Sequence, residues 1–311
     1  MPSEELAAVV AAIRKEERER GGSRLGSVRP SVDDLISRKA AMNANYLPIQ
    51  EGVSHRDGSV GGIPGVWFEP EGADRSRVIL YCHGGGFMFG SPINTGHVTA
   101  RLARETGCLA FSLDYRLSHE APFPAPVEDA LAAYRGLLDE GFAPASIAIA
   151  GDSAGGGLAV LVMVAARDAG LPLPAACLSS SPWTDLEMTG ASIAENEATD
   201  VHCHLPGLRM MAQAYLAGAD PRDPRASLIH ADLSGLPRLL VQTGGAEVLR
   251  DDGVRLAERA RVAGVDVTLD VIEGAVHIWQ YVAPDAPETA KSEAEAGAFL
   301  KAAMDRAGQV M

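Results

Sequence analysis

The sequence predicts an α/β fold in which a mostly parallel central sheet is covered by helices on both faces and carries a helical cap. Short Val/Ile/Leu-rich runs alternate with helix-period segments from residue 78 onward, the pattern of strands joined by crossover helices. The stretch 183–227 breaks that rhythm with no strand-like run, although a crossover needs only about a dozen residues. Gly151-Asp152-Ser153-Ala154-Gly155 stands where an apolar run ends and a small-residue helical run begins, as at a sharp strand-to-helix turn.

Ser3 is placed to cap a first helix, with Glu4 and Glu5 in its first turn, Leu6, Val9, Val10 and Ile13 at helical spacing, and Gly21-Gly22 as its stop. Ser31 caps a second, with Asp33 and Asp34 in its first turn and Pro48 beyond its end. Over 53–70, β-like pieces broken by Asp57-Gly58 and Gly61-Gly62 predict an antiparallel edge hairpin. Strands are expected at 78–82, 108–115, 146–150, 175–181, 238–243 and 267–272, unalternating as in strands buried on both faces. Helices are expected near 95–106, 126–140, 154–169, 251–263 and 287–307. The insertion at about 183–227, with the two helices of residues 1–50, is expected to cap the strand ends, where α/β sites sit, leaving 51–311 as the catalytic domain.

Composition narrows the function classes. The 311 residues are 47% hydrophobic and carry a net charge of −14, so phosphate-bearing partners such as nucleic acids and anionic membranes are repelled. Small neutral substrates are unaffected. No stretch approaches the roughly 18 apolar residues of a spanning helix, and the apolar block 6–13 follows two glutamates, a poor signal peptide. Cys82, Cys108, Cys177 and Cys203 show no C-x-x-C spacing, which fits a reducing, cytoplasmic setting. His202-Cys203-His204 could be written as a metal cluster, but adjacent side chains point apart and no fourth ligand is evident. No metal is expected, and the chain is expected to act as a monomer or homodimer without stable membrane association.

A serine on such a turn is held in a strained conformation with its hydroxyl pointing out, and the flanking glycines let strand and helix pass. Ser153 is therefore the expected nucleophile. It needs a base, an orienting acid and donors for the oxyanion. Acid and base should follow in that chain order, on loops after later strands. His277, after the last predicted strand, is the expected base, whereas His230 lies before a strand. A histidine base predicts activity rising through a pKa near about 6.5. The loop after 238–243 offers Glu247, Asp251 and Asp252. Glu247 comes first and is preferred; the two aspartates read as the cap and first turn of the next helix, with Asp251 as the alternative acid. The Ala154 amide is one expected oxyanion donor, and the triple-glycine loop His83-Gly84-Gly85-Gly86-Phe87 should supply the others. Asp152 is read as a loop anchor. Phe87, Met88, Trp183, Met188, Met210 and Met211 are candidates for the substrate pocket, with core packing as the plain alternative.

His83-Gly84-Gly85-Gly86-Phe87, Asp114-Tyr115-Arg116-Leu117, Phe123-Pro124-Ala125, Gly151-Asp152-Ser153-Ala154-Gly155-Gly156 and Ser181-Pro182-Trp183-Thr184-Asp185 together resemble the bacterial hormone-sensitive-lipase-type carboxylesterases. The likeness runs from about Gly65 to the C-terminus. It implies an α/β-hydrolase sheet with a helical cap, hydrolysis of short acyl esters without a cofactor, and oxyanion donors at Gly85, Gly86 and Ala154. Two positions depart from that family: the acid motif, often Asp-Pro-Leu, reads Glu247-Val248-Leu249, and Ser118-His119-Glu120 stands where Ala-Pro-Glu is usual. The reading is a serine carboxylesterase with a Ser-His-Glu triad. A lactone hydrolase on the same site is the nearest alternative, since a cyclic ester presents the same carbonyl. A non-catalytic small-molecule receptor of the same fold is a further one, against which His277 argues.

Overall fold

The computed structural model describes residues 1–19 and 30–307 of the chain; the expected stop at Gly21-Gly22 lies outside them. Two helices, α1 (Glu4–Glu19) and α2 (Val32–Ala44), precede the first strand. The strands are β1 (Val53–Val60), β2 (Ile63–Pro70), β3 (Asp74–Cys82), β4 (Cys108–Leu113), β5 (Ile147–Asp152), β6 (Ala176–Ser180), β7 (Arg238–Gly244) and β8 (Val267–Ile272). The remaining helices are α3 (Gly96–Thr106), α4 (Ala125–Asp139), α5 (Ala154–Asp168), α6 (Ser192–Glu195), α7 (Leu205–Leu216), α8 (Arg250–Val262), α9 (Trp279–Val282) and α10 (Pro287–Ala307). Ser31 closes a capping box with Asp34, each side chain accepting from the other's backbone N–H. Ser3 Oγ accepts from Leu6 N at 3.2 Å.

The strands form one sheet in the order β1-β2-β4-β3-β5-β6-β7-β8, with β1, β2 and β4 antiparallel in turn and every pair from β4 to β8 parallel. This is the α/β-hydrolase fold. The order reverses between β3 and β5, so the loops leaving those two strands diverge and open a crevice, where sites in such sheets form.

Burial on both faces explains the unalternating strands. In β3, Val78, Leu80 and Cys82 pack toward one core and Ile79 and Tyr81 toward the other. The first core is closed by α4, α5 and α8 residues such as Tyr134, Leu158 and Leu256, the second by Ala100 and Ala103 of α3 and Leu300 and Met304 of α10. α5 is apolar all round and buried along most of its length, as a helix wrapped by protein must be. β8 departs from the expectation. It is an edge strand in which Val267 and Leu269 turn inward, Thr268 is exposed and Val271 is 44% exposed.

The insertion contains α6 and α7 and no strand. α2 lies against it: Leu35 packs with Met88, Phe89, Met210 and Ala214, and Lys39 pairs with Asp114 at 2.9 Å. α1 lies elsewhere, with Leu6 against Ala275, Trp279, Ala283 and Ala286 behind the His277 loop. Arg14 of α1 reaches the insertion, donating to the Thr199 carbonyl at 2.5 Å. Among the described residues no helix is long and apolar enough to cross a membrane.

Candidate active site

Ser153 sits between β5 and α5 with φ 56° and ψ −124°, a backbone conformation that costs a non-glycine residue on the order of 1–3 kcal/mol. The crossing on either side explains why it is tolerated. A Cβ on Gly155 would collide with the carbonyls of Cys82 and His83, and one on Gly151 with the carbonyl of Gly155. Glycine at both positions lets the helix start directly over β3, and the Ser153 N–H and C=O are fixed by Ser180 O and Trp183 N.

His277, on the loop between β8 and α9, lies with Nε2 2.9 Å from Ser153 Oγ. Its Nδ1 is 3.0 Å from Glu247 Oε2. Glu247 and His277 are 0% and 1% exposed. The other oxygen of Glu247, Oε1, accepts from the Thr243 hydroxyl and from Gly244 N. Burial disfavours the His277 imidazolium, while the adjacent Cys203 sulfur and the Glu247 carboxylate favour it, and the net effect raises its pKa well above the ordinary histidine value. The sequence-based expectation of an unshifted value is corrected accordingly.

Asp251 is directed away from this cluster: it accepts from Ser192 N at 3.0 Å and pairs with Arg250. Asp252, fully buried, accepts from Thr184 N and Asp185 N at 2.7 and 2.9 Å, and burial pushes its pKa up to about 7. Both stand in the first turn of α8 as expected, yet their carboxylates tie the insertion to α8 rather than capping it. His230 meets Glu187 at 3.3 Å instead.

Gly85 and Gly86, at φ 116° and 61°, form the turn after β3. Their carbonyl and amide groups divide: Gly85 O accepts from Met88 N and Phe89 N, while the N–H groups of Gly85 and Gly86 have no acceptor among the described residues. Ala154 is the first residue of α5, so its N–H also lacks an intrahelical partner. Asp152 holds the loop in place by accepting from Tyr81 Oη at 2.8 Å and Gly84 N at 3.1 Å. His83 stacks on Tyr115 at 4.3 Å, and burial drives its pKa down to about 4, so it is a neutral buttress. Ser118, at the second departure, donates through its backbone N and Oγ to Phe87 O.

Ser153, His277, Gly85 and Gly86 open onto a cavity of about 410 Å³, within the range of small-ligand sites. Met210 and Met211 line it, together with Arg38, Ala41, Met42, Phe89, His202, Cys203, His204, Gly207 and Ile278. Phe87, Met88 and Trp183 are not among the lining residues. Phe87, at φ 59°, turns into the core and stacks on Tyr215 at 3.9 Å with Trp183 beyond. Met88 packs behind the cavity wall, and Met188 lies against the main core. Phe89 and Asp200 were not singled out from sequence; Phe89 alone left a trace there, as an aromatic two residues beyond Phe87.

Residues 79–281 match the model of a family described as having the α/β hydrolase fold. An acetyl-hydrolase of Streptomyces hygroscopicus is 46% identical over 245 residues, covering 79% of this chain and 82% of that protein. Carboxylesterase NlhH of Mycobacterium tuberculosis is 33% identical over 269 residues, 83% of each chain. The crystal structure of an esterase from the bacterial hormone-sensitive lipase family superposes with a TM-score of 0.88 at 41% identity, covering 98% of this chain and 99% of that one.

Proposed function

Because the chain belongs to the α/β-hydrolase family, in its bacterial hormone-sensitive-lipase branch, and is a carboxylic ester hydrolase, we propose that it works as a serine esterase through Ser153, His277 and Glu247, with a preference for short acyl groups. The observation that carries the reading is the buried chain from Ser153 Oγ through His277 to Glu247, with contacts of 2.9 and 3.0 Å.

In this reading Ser153 Oγ attacks the ester carbonyl as His277 Nε2 takes its proton. The carbonyl oxygen becomes an alkoxide that accepts from the N–H groups of Gly85, Gly86 and Ala154, the donors left without a backbone acceptor. Collapse breaks the bond to the alkoxy oxygen, and His277 returns the proton to the departing alcohol. Water, deprotonated by the same nitrogen, then attacks the acyl-enzyme and releases the acid. Glu247 keeps Nδ1 protonated and Nε2 free to accept.

Met42, Phe89, Met210 and Met211 supply an apolar wall of limited size for the acyl chain, and the Streptomyces relative's printed name refers to an acetyl group. The lid over Ser153 is then made by α2 and α7, which carry Met42, Met210 and Met211. The four cysteines are unpaired, which supports a reducing, cytoplasmic setting. The chain-length preference is tested with p-nitrophenyl acetate, butyrate and decanoate: kcat/KM should fall at decanoate, and a rise with chain length contradicts it.

A further inference from the structure

The cavity over Ser153 has two chemically different sides. Ala41, Met42, Phe89, Met210 and Met211 make one of them apolar; His202, Cys203 and His204 lie on the side of His277. The His202 ring centroid is 6.1 Å from that of His277, with the planes at 33°. His202 is exposed and is one of the residues that line the cavity. The protein around the ring and the neighbouring His277 both lower its pKa. The ring is therefore neutral at physiological pH, with one N–H donor and one nitrogen acceptor.

The backbone under it is pinned. His202 N and Cys203 N donate to Asp200 Oδ1 at 2.9 and 3.2 Å, and Asp200 Oδ2 accepts from Val248 N at 2.9 Å. The residue next to Glu247 thus fixes the segment that carries His202. The His202 ring makes no hydrogen bond to protein among the described residues, so both ring nitrogens are free for a polar ligand group.

Acyl-transfer chemistry decides which half of the substrate lies there. The alkoxy oxygen must face His277 Nε2 to be protonated, which directs the alcohol toward the imidazole side and leaves the methionine side for the acyl chain. We propose that His202 is a specificity residue that hydrogen-bonds a hydroxyl on the alcohol half of the ester, so that esters of hydroxyl-bearing alcohols are preferred to esters of alkyl alcohols. This rests on the Ser153 reading above. An alkyl alcohol of the same size would strip water from the imidazole and give nothing back.

The test uses two acetates of near-equal shape, 2-hydroxyethyl acetate and propyl acetate, whose kcat/KM ratio is corrected for their alkaline hydrolysis rates. The native enzyme should favour the hydroxylated ester by about three- to tenfold, the scale of one hydrogen bond. His202→Leu should bring the ratio close to one, and His202→Gln, which keeps a donor and an acceptor, should recover part of it. A native ratio near one overturns the proposal. So does an unchanged ratio in His202→Leu, or equal loss of both esters in both variants. No turnover of either acetate by the native enzyme would overturn the Ser153 reading itself.

Discussion

Replacing Glu247 by glutamine removes the charge but keeps the shape of the side chain, and the surroundings dictate how the new amide must lie. Gly244 N, which can only donate, bonds Oε1 at 3.1 Å, so the amide oxygen is held at that position. The amide NH₂ then occupies the Oε2 position, 3.0 Å from His277 Nδ1, and donates to it. Nδ1 becomes an acceptor, the proton moves to Nε2, and the imidazole points an N–H at Ser153 Oγ instead of a lone pair. It can no longer act as the base. Loss of the correct tautomer in a Ser-His-acid triad costs about 10⁴ in kcat, or about 5.5 kcal/mol of barrier at about 1.36 kcal/mol per decade. Steady-state hydrolysis of p-nitrophenyl acetate measures it, with circular dichroism as the control for folding. Asp251→Asn, whose carboxylate binds Ser192 N and Arg250, should stay within about threefold of the native enzyme. A fall below about tenfold for Glu247→Gln, or a larger loss in Asp251→Asn, refutes this reasoning.

Other perturbations test neighbouring parts of the account. Because the His277 pKa is raised and only the neutral imidazole accepts a proton, kcat/KM should rise with pH along a limb lying above histidine's ordinary value of about 6.5. Removing the Glu247 charge takes away one cause of the shift, so residual activity in Glu247→Gln should rise at lower pH than in the native enzyme; a limb that moves upward would contradict the sign. Gly155→Ala forces a Cβ onto the Cys82 and His83 carbonyls and should lower stability by on the order of 3 kcal/mol or more, read as a shift of the urea midpoint; an unchanged midpoint would mean that strand and helix have room to separate. Gly86→Ala, at φ 61° and with Met211 Sδ where the new Cβ must go, should reorient one oxyanion donor and lower kcat for p-nitrophenyl acetate by about 10² to 10³; an unchanged kcat would remove Gly86 from the oxyanion site.

What could be read from the sequence was whatever backbone geometry forces on residue type. Gly151 and Gly155 are required by the crossing of β5 and α5, so the Ser153 turn is visible in five letters. His277 and Glu247 stand on the first turns after β8 and β7, where chain order pointed to them, with Asp251 left as the alternative acid. Directions of side chains were not legible. Phe87 and Phe89 are equivalent on paper, but the positive φ of Phe87 sends its ring into the core and leaves Phe89 on the cavity. Asp251 and Asp252 have the spacing of helix-start residues, and only the folded insertion reveals that they bind its backbone at Ser192, Thr184 and Asp185. α1 has a well-marked cap and apolar stripe, but nothing in that stripe specifies that it packs behind His277 rather than over the cavity. β8 reads as apolar, and its edge position becomes clear only once the strand order is known.

The central claim is a covalent acyl group on Ser153. The direct measurement is intact-mass analysis of enzyme quenched with acid during turnover of p-nitrophenyl acetate, followed by peptide mapping. The account predicts a mass increase of one acetyl group located at Ser153, with none in Ser153→Ala and no nitrophenol burst from that variant. Acetyl on another residue, or a burst retained by Ser153→Ala, would contradict it.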